Sequence, residues 1–144
     1  MGLMGLNKGK RGEREVVKLL QPVIDKQYKL LGLVSPELNR NLMQAKSGGH
    51  DLVGLDWLSL EVKYQEQNNV NQWWEQTTRQ ADQSGGIPVL FYRKNHVKWR
   101  VRMKADVCAD EFEHVPLIVD IAVDDFLRWF ECKLLLEGKK EVGL

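Results

Sequence analysis

Apolar residues Val16, Val17, Leu19, Leu20, Val23 and Ile24 recur at helical spacing behind a charged Glu13-Arg14-Glu15 start, so the pattern predicts an amphipathic helix over residues 12–31. Pro22 falls inside it. An interior proline removes a backbone donor and costs about 3 kcal/mol, so a kink or division near Gln21 is expected. After Gly32 and the Ser35-Pro36 turn signal, residues 39–46 read as a weak strand, followed by a Ser47-Gly48-Gly49 loop. Residues 51–55 and 57–64 are short runs rich in Leu, Val and Trp, separated by a corner at Asp56, and read as a strand pair. In the second run Glu61 and Lys63 alternate with Leu60, Val62 and Tyr64, so a two-residue period places the polar pair on one face and the apolar residues on the other.

Residues 70–83 are helical in pattern and stop at Ser84-Gly85-Gly86. Trp73 and Trp74 are adjacent in this helix, so one is expected in the core and the other against a partner. Residues 87–92 and 97–103 predict a hairpin around Lys94-Asn95, and residues 117–121 one more short strand. A last amphipathic helix over 123–136 presents Phe126, Leu127, Phe130 and Leu134, with Asp124 or Asp125 placed to cap it. Its apolar face, with Trp129 beside it, can serve either the core or a subunit interface. The order of elements predicts an α/β protein, a mixed sheet of about five strands flanked by helices.

With 144 residues the chain is expected to form one domain, with a basic, loosely held stretch at 1–10 and an extension carrying a helix at 105–144. Hydrophobic residues at 43% and charged residues at 28% exclude global disorder. A formal net charge of +1 provides no strong overall field, so any contact with a polyanion must come from local clusters. Cys108 and Cys132 form no CxxC pair, which argues against a zinc site or a disulfide framework and for a reducing setting. No signal peptide and no membrane span is expected, and the protein is placed in the cytoplasm.

Candidate chemistry centres on Asp51 and, ten residues on, Glu61-Val62-Lys63. Two carboxylates from neighbouring strands and a lysine on the same strand face as the second can converge. Hard divalent ions such as Mg²⁺ take one or two carboxylates together with waters and substrate phosphate. The same residues also admit plainer readings. Glu61 and Lys63 can be a solvated ion pair, Asp51 a turn residue after Gly48-Gly49, and Glu13 a carboxylate favoured by the helix dipole. Two basic groups stand out: Lys8, Lys10, Arg11 and Arg14 at the first helix, and Lys98, Arg100 and Arg102 on one face of the hairpin. The first can grip phosphates, helped by Gly9 and Gly12, or form a flexible, solvated terminus; the second can line a nucleic-acid channel or keep an edge strand from aggregating. His96 and His114 have no ligand-like company and read as structural or surface residues.

The chain resembles nucleases of the PD-(D/E)-x-K superfamily, and within it the archaeal-type and phage Holliday junction resolvases. The motifs are Lys8-Gly9-Lys10-Arg11-Gly12-Glu13-Arg14, then Asp51, then Glu61-Val62-Lys63, then Gln80 within Thr78-Arg79-Gln80-Ala81. They span residues 8–103. His50 stands where the family often has Pro or Ser. The resemblance implies a restriction-endonuclease-like fold, with Asp51 and Glu61 as main metal ligands, Glu13 as a further metal or water ligand, Lys63 as the catalytic lysine and Gln80 beside the scissile phosphate. It also implies Mg²⁺, with Mn²⁺ able to substitute, no small-molecule cofactor, and a homodimer nicking four-way DNA junctions symmetrically. A nicking, repair or restriction-type endonuclease shares the same site chemistry. A nuclease-like fold that only binds DNA is the third reading.

Overall fold

The computed structural model describes residues 3–41 and 51–143. Helix α1 spans Leu3–Leu30 and passes through Pro22 without interruption. Val16, Leu20 and Ile24 are fully buried on both sides of the proline, so core packing holds the helix together across the missing donor. The basic segment Lys8 to Arg11 therefore lies within a helix instead of a loose terminus. Gln21, next to Pro22, secures the chain that follows: its Oε1 accepts the Leu38 N–H at 2.8 Å and its Nε2 donates to the Pro36 carbonyl at 3.0 Å. Gly12 is buried against the strand that ends at Tyr64, where an added Cβ would lie 2.9 Å from Tyr64 Cβ.

Among the described residues six strands form one sheet in chain order: β1 (Asn39–Arg40), β2 (Leu52–Val53), β3 (Leu58–Tyr64), β4 (Ile87–Arg93), β5 (Arg100–Cys108) and β6 (His114–Ala122). Only β3 and β4 run parallel, joined by the crossover helix α2 (Val70–Ser84). Gly85 ends α2 in the left-handed conformation, its N–H bonded to the Ala81 carbonyl at 2.8 Å. Of the weak strand expected over 39–46, Asn39–Arg40 is a strand; residues 42–50, including the Ser47-Gly48-Gly49 loop and His50, lie outside the described residues.

The C-terminal third departs most from expectation. β5 continues to Cys108 and begins at Arg100, and β6 pairs with it over nine residues, which makes the sheet six-stranded. Helix α3 spans Val123–Glu141 and buries Phe126, Phe130 and Leu134 in the main core. This region is thus part of the sheet and its packing, and the core claims the helix face that was also eligible as an interface. Neither Asp124 nor Asp125 caps the helix. Ala122 holds the cap position, and the two aspartates act through the dipole from the first turn.

The sheet has two unlike faces. Leu60, Val62, Tyr64, Val89, Phe91, Val101 and Met103 join α1 and α3 in the large core. On the opposite face Leu90 packs with Trp73 and Trp74 of α2, both buried, with Val70 and Tyr92 beside them. The expectation that one tryptophan would face a partner fails because both pack into this second cluster. Among the described residues no helix is long and apolar enough to cross a membrane.

Candidate active site

Strand β2 pairs with β3 through a single rung, Leu52 with Leu60, extended by the Asp51 N–H on the Leu60 carbonyl at 3.0 Å. The next donor along β3, the Val62 N–H, is taken by Asp51 Oδ2 at 2.7 Å. A side-chain carboxylate here replaces a backbone partner, which fixes Asp51 against β3 between the positions of Glu61 and Lys63. Pairing of β2 with β3 thus gives way, among the described residues, to a site built from side chains.

Glu61 is fully buried, and neither of its carboxylate oxygens accepts a hydrogen bond among the described residues. Burial raises its pKa, and the nearby charge of Asp51 and a hydrogen bond shared with that carboxylate when Glu61 holds its proton add to this, taking it to about 9 despite the opposing charge of Lys63. Glu13 reaches the same cluster from α1. Its pKa is also raised, first by burial, with the Asp51 charge contributing and the Arg40 guanidinium opposing. The carboxylate of Glu13 is held by Arg40 of β1 through Nε. The structure thus gathers Glu13, Asp51, Glu61 and Lys63 into one electrostatic neighbourhood.

Gln80 lies on α2, over the face that Glu61 occupies, with its Oε1 shut off from solvent and without a donor among the described residues. Of the four glutamines of this helix, Gln72 and Gln83 are exposed, whereas Gln76 and Gln80 are half-buried. Two residues escaped the sequence reading. Arg40 joins Glu13 across 27 positions, which no local pattern encodes. Ser59 is fully buried with an unpartnered Oγ, and the alternation that ties Glu61 to Lys63 extends to it. Asp56 is an exposed turn residue away from this cluster.

The basic groups divide. Lys8 is committed to Glu66 at 2.7 Å and lies 5.0 Å over the Tyr64 ring, which Arg11 also approaches. Arg11 and Arg14 are exposed, and Lys10 is half-buried near Glu13. Lys98 precedes β5, so strand alternation does not apply to it and only Arg100 and Arg102 share a face. Arg102 is gripped by Asp120 at 2.9 and 3.0 Å and by Asn71 at 2.9 Å, while Lys98 and Arg100 are exposed. His96 occupies a turn at φ 62°, and His114 lies beside Cys108, 3.7 Å from its sulfur.

The donor set fits a divalent ion. Without an ion, buried Glu61 stays neutral by keeping its proton; once ionised, beside a second carboxylate fixed by a backbone N–H, it is costly unless a cation compensates it. Among the described residues no three carboxylate, imidazole or thiol groups form a cage that could hold an ion. Mg²⁺ does not need one, because it keeps several waters and takes one or two carboxylates.

A family model described as "Phage putative PDDEXK endonuclease" matches residues 53–127, over half of the chain. The chain belongs to that family. It is therefore a nuclease of the PDDEXK type, a class that generally uses divalent metal ions. The matched stretch of this PDDEXK endonuclease contains Glu61, Lys63 and Gln80 and leaves Glu13 and Asp51 outside, so it sits further toward the C-terminus than the motif span of 8–103. Among solved structures the chain is similar to Hjc, a Holliday junction resolvase from the archaeal hyperthermophile Archaeoglobus fulgidus. Identity is 18% over 78% of this chain and 84% of that one, with a TM-score of 0.44. No curated protein matches the chain.

Proposed function

We propose that this endonuclease cuts phosphodiester bonds in DNA with a Mg²⁺ ion held by Asp51 and Glu61, and that its substrate is the four-way junction, nicked symmetrically by a homodimer. The observation that carries the metal reading is Glu61, buried beside Asp51 with both carboxylate oxygens lacking a donor. The junction reading rests on the order of the motifs at Glu13, Asp51, Glu61-Val62-Lys63 and Gln80, and the dimer on the two-fold symmetry of such a substrate. Action in the cytoplasm of a host cell follows from a phage origin. Mn²⁺ is expected to substitute.

When bound, the ion supplies positive charge at the scissile phosphate. The chain's own groups do the rest. Asp51, fixed by the Val62 N–H, and Glu61, held on β3, set the geometry of the seat. Glu13 completes the acidic wall, kept in place by Arg40. Lys63 directs its ammonium toward the attacking water and the phosphate, and the Gln80 carbonyl oxygen orients that water from α2. Arg11, Arg14, Lys98 and Arg100 contact backbone phosphates further out, with Lys8, Lys10 and Arg102 backing them.

The test is cleavage of a labelled four-way junction beside a linear duplex of matching sequence, with Mg²⁺ or EDTA, by wild type and Glu61→Gln. Paired symmetric nicks in the junction alone, absent in EDTA and in the variant, are the expected result. Equal cutting of both DNAs removes the junction reading in favour of a nicking, repair or restriction-type activity. Binding without cutting under any divalent ion leaves a DNA-binding module.

A further inference from the structure

Past Lys63 the same sheet face leads to a cavity of about 110 Å³ between the first turns of α2 and the β4–β5 connection. One water needs roughly 10–15 Å³, so the space suits a larger planar group. Tyr92, in register with Lys63 on the neighbouring strand, forms the wall nearest the candidate active site. Val70, Trp73 and Val97 complete an apolar lining in which Tyr92 and Trp73 are the planar members. Gln67 and Asn68 bring amides, each both donor and acceptor, to one side, and exposed Lys98 and Arg100 stand at the rim.

Flat apolar walls take the face of a heterocycle, amides read its polar edge, and cations at the mouth hold the phosphates to either side. A base inside a duplex is stacked on both faces and cannot enter. An unpaired base can, and its extraction costs least where pairing is already lost. We infer that this cavity receives one unpaired nucleobase from the DNA strand that runs past Lys63, and that this contact lets the enzyme prefer branched or locally unpaired DNA. The inference rests on the nuclease reading given above and names the part of the molecule that selects the substrate.

Two measurements test it, both on full-length protein in EDTA so that DNA is bound without being cut. In the first, 5-iododeoxyuridine is placed at an unpaired or at a paired position of otherwise identical DNA, and photocrosslinks are mapped. Crosslinks to Tyr92 or Trp73 from the unpaired position, several-fold above the paired one, are expected. In the second, Val97→Trp fills the cavity from a position that is 43% exposed and thus tolerant of a larger side chain. The ratio of affinities for DNA with and without an unpaired nucleotide is expected to narrow about tenfold, as for the loss of one stacked base. Equal crosslinking from paired and unpaired positions, or an unchanged affinity ratio, overturns the inference. If wild type cuts DNA in Mg²⁺ but gives no crosslink in the cavity, this inference alone falls; if it neither binds nor cuts DNA, the nuclease reading falls with it.

Discussion

On the face of the sheet covered by α1 and α3, the strands turn Val62, Val89, Phe91 and Val101 toward Val16, Leu20, Phe126 and Phe130, and every one of these is apolar and buried. On the face covered by α2, β3 turns Ser59, Glu61 and Lys63 inward, and no group among the described residues donates a hydrogen bond to the Ser59 hydroxyl or the Glu61 carboxylate. The first face is apolar throughout these positions, whereas the second sets the Trp73, Trp74 and Leu90 cluster beside polar groups whose burial costs stability. An arrangement of that kind is expected where groups must be ready for a ligand before it arrives.

The sharpest way to break this contrast is to weaken each face in turn. Phe130→Ala, which empties the centre of the apolar face, is expected to lower stability by about 3–5 kcal/mol in urea unfolding. Glu61→Gln should reduce cleavage about 10³-fold, from the several kcal/mol that a seated metal contributes, with no comparable loss of stability. If Glu61→Gln unfolds the protein as Phe130→Ala does, the contrast is wrong.

Titration sharpens the same point. Between the ordinary glutamate value of 4.5 and about 9, folded Glu61 keeps a proton that the unfolded chain has released. The ion-free protein should therefore lose stability as pH rises from 5 to 9, by at most about 1.4 kcal/mol per unit, and Glu61→Gln should flatten the profile in EDTA melts. Seating the metal must displace that proton, so Mg²⁺ affinity should increase up to about tenfold per pH unit over this window, measurable by calorimetry in buffers of different ionisation enthalpy.

Smaller effects follow outside the cluster. Arg40→Ala releases Glu13 from its tether and is expected to cost about tenfold in activity, with more Mg²⁺ needed for half-maximal rate, as for the loss of a group that orients a ligand. Lys98→Ala and Arg100→Ala should each reduce the salt dependence of DNA binding by about one unit of slope, with the cleavage rate at saturation kept.

What could be read from the residues follows the range of the forces involved. Alternation in 58–64 announced the shared face of Glu61 and Lys63, and helical spacing with a glycine stop announced α2, because both patterns are local. The Glu13–Arg40 pair was illegible because it joins separate elements. β6 was underestimated because it is largely exposed and contains Pro116, so it lacks the hydrophobic alternation of a half-buried strand. The continuity of α1 through Pro22 was missed for a related reason: the residues that hold it are buried against elements far along the chain. Both tryptophans of α2 are buried because the helix packs them around Leu90, a contact set by β4 and absent from the helix sequence.

Gly12 has a bearing on how this protein can be altered. Any side chain there would collide with Tyr64 and with Trp99, whose nearest ring carbon would lie 3.3 Å from an added Cβ, and would push α1 off β3. The next residue on that helix is Glu13. A randomised library at position 12 should thus return glycine alone under selection for cleavage, although the residue has no side chain of its own, because the spacing it permits is the gauge that sets how far Glu13 stands from Asp51.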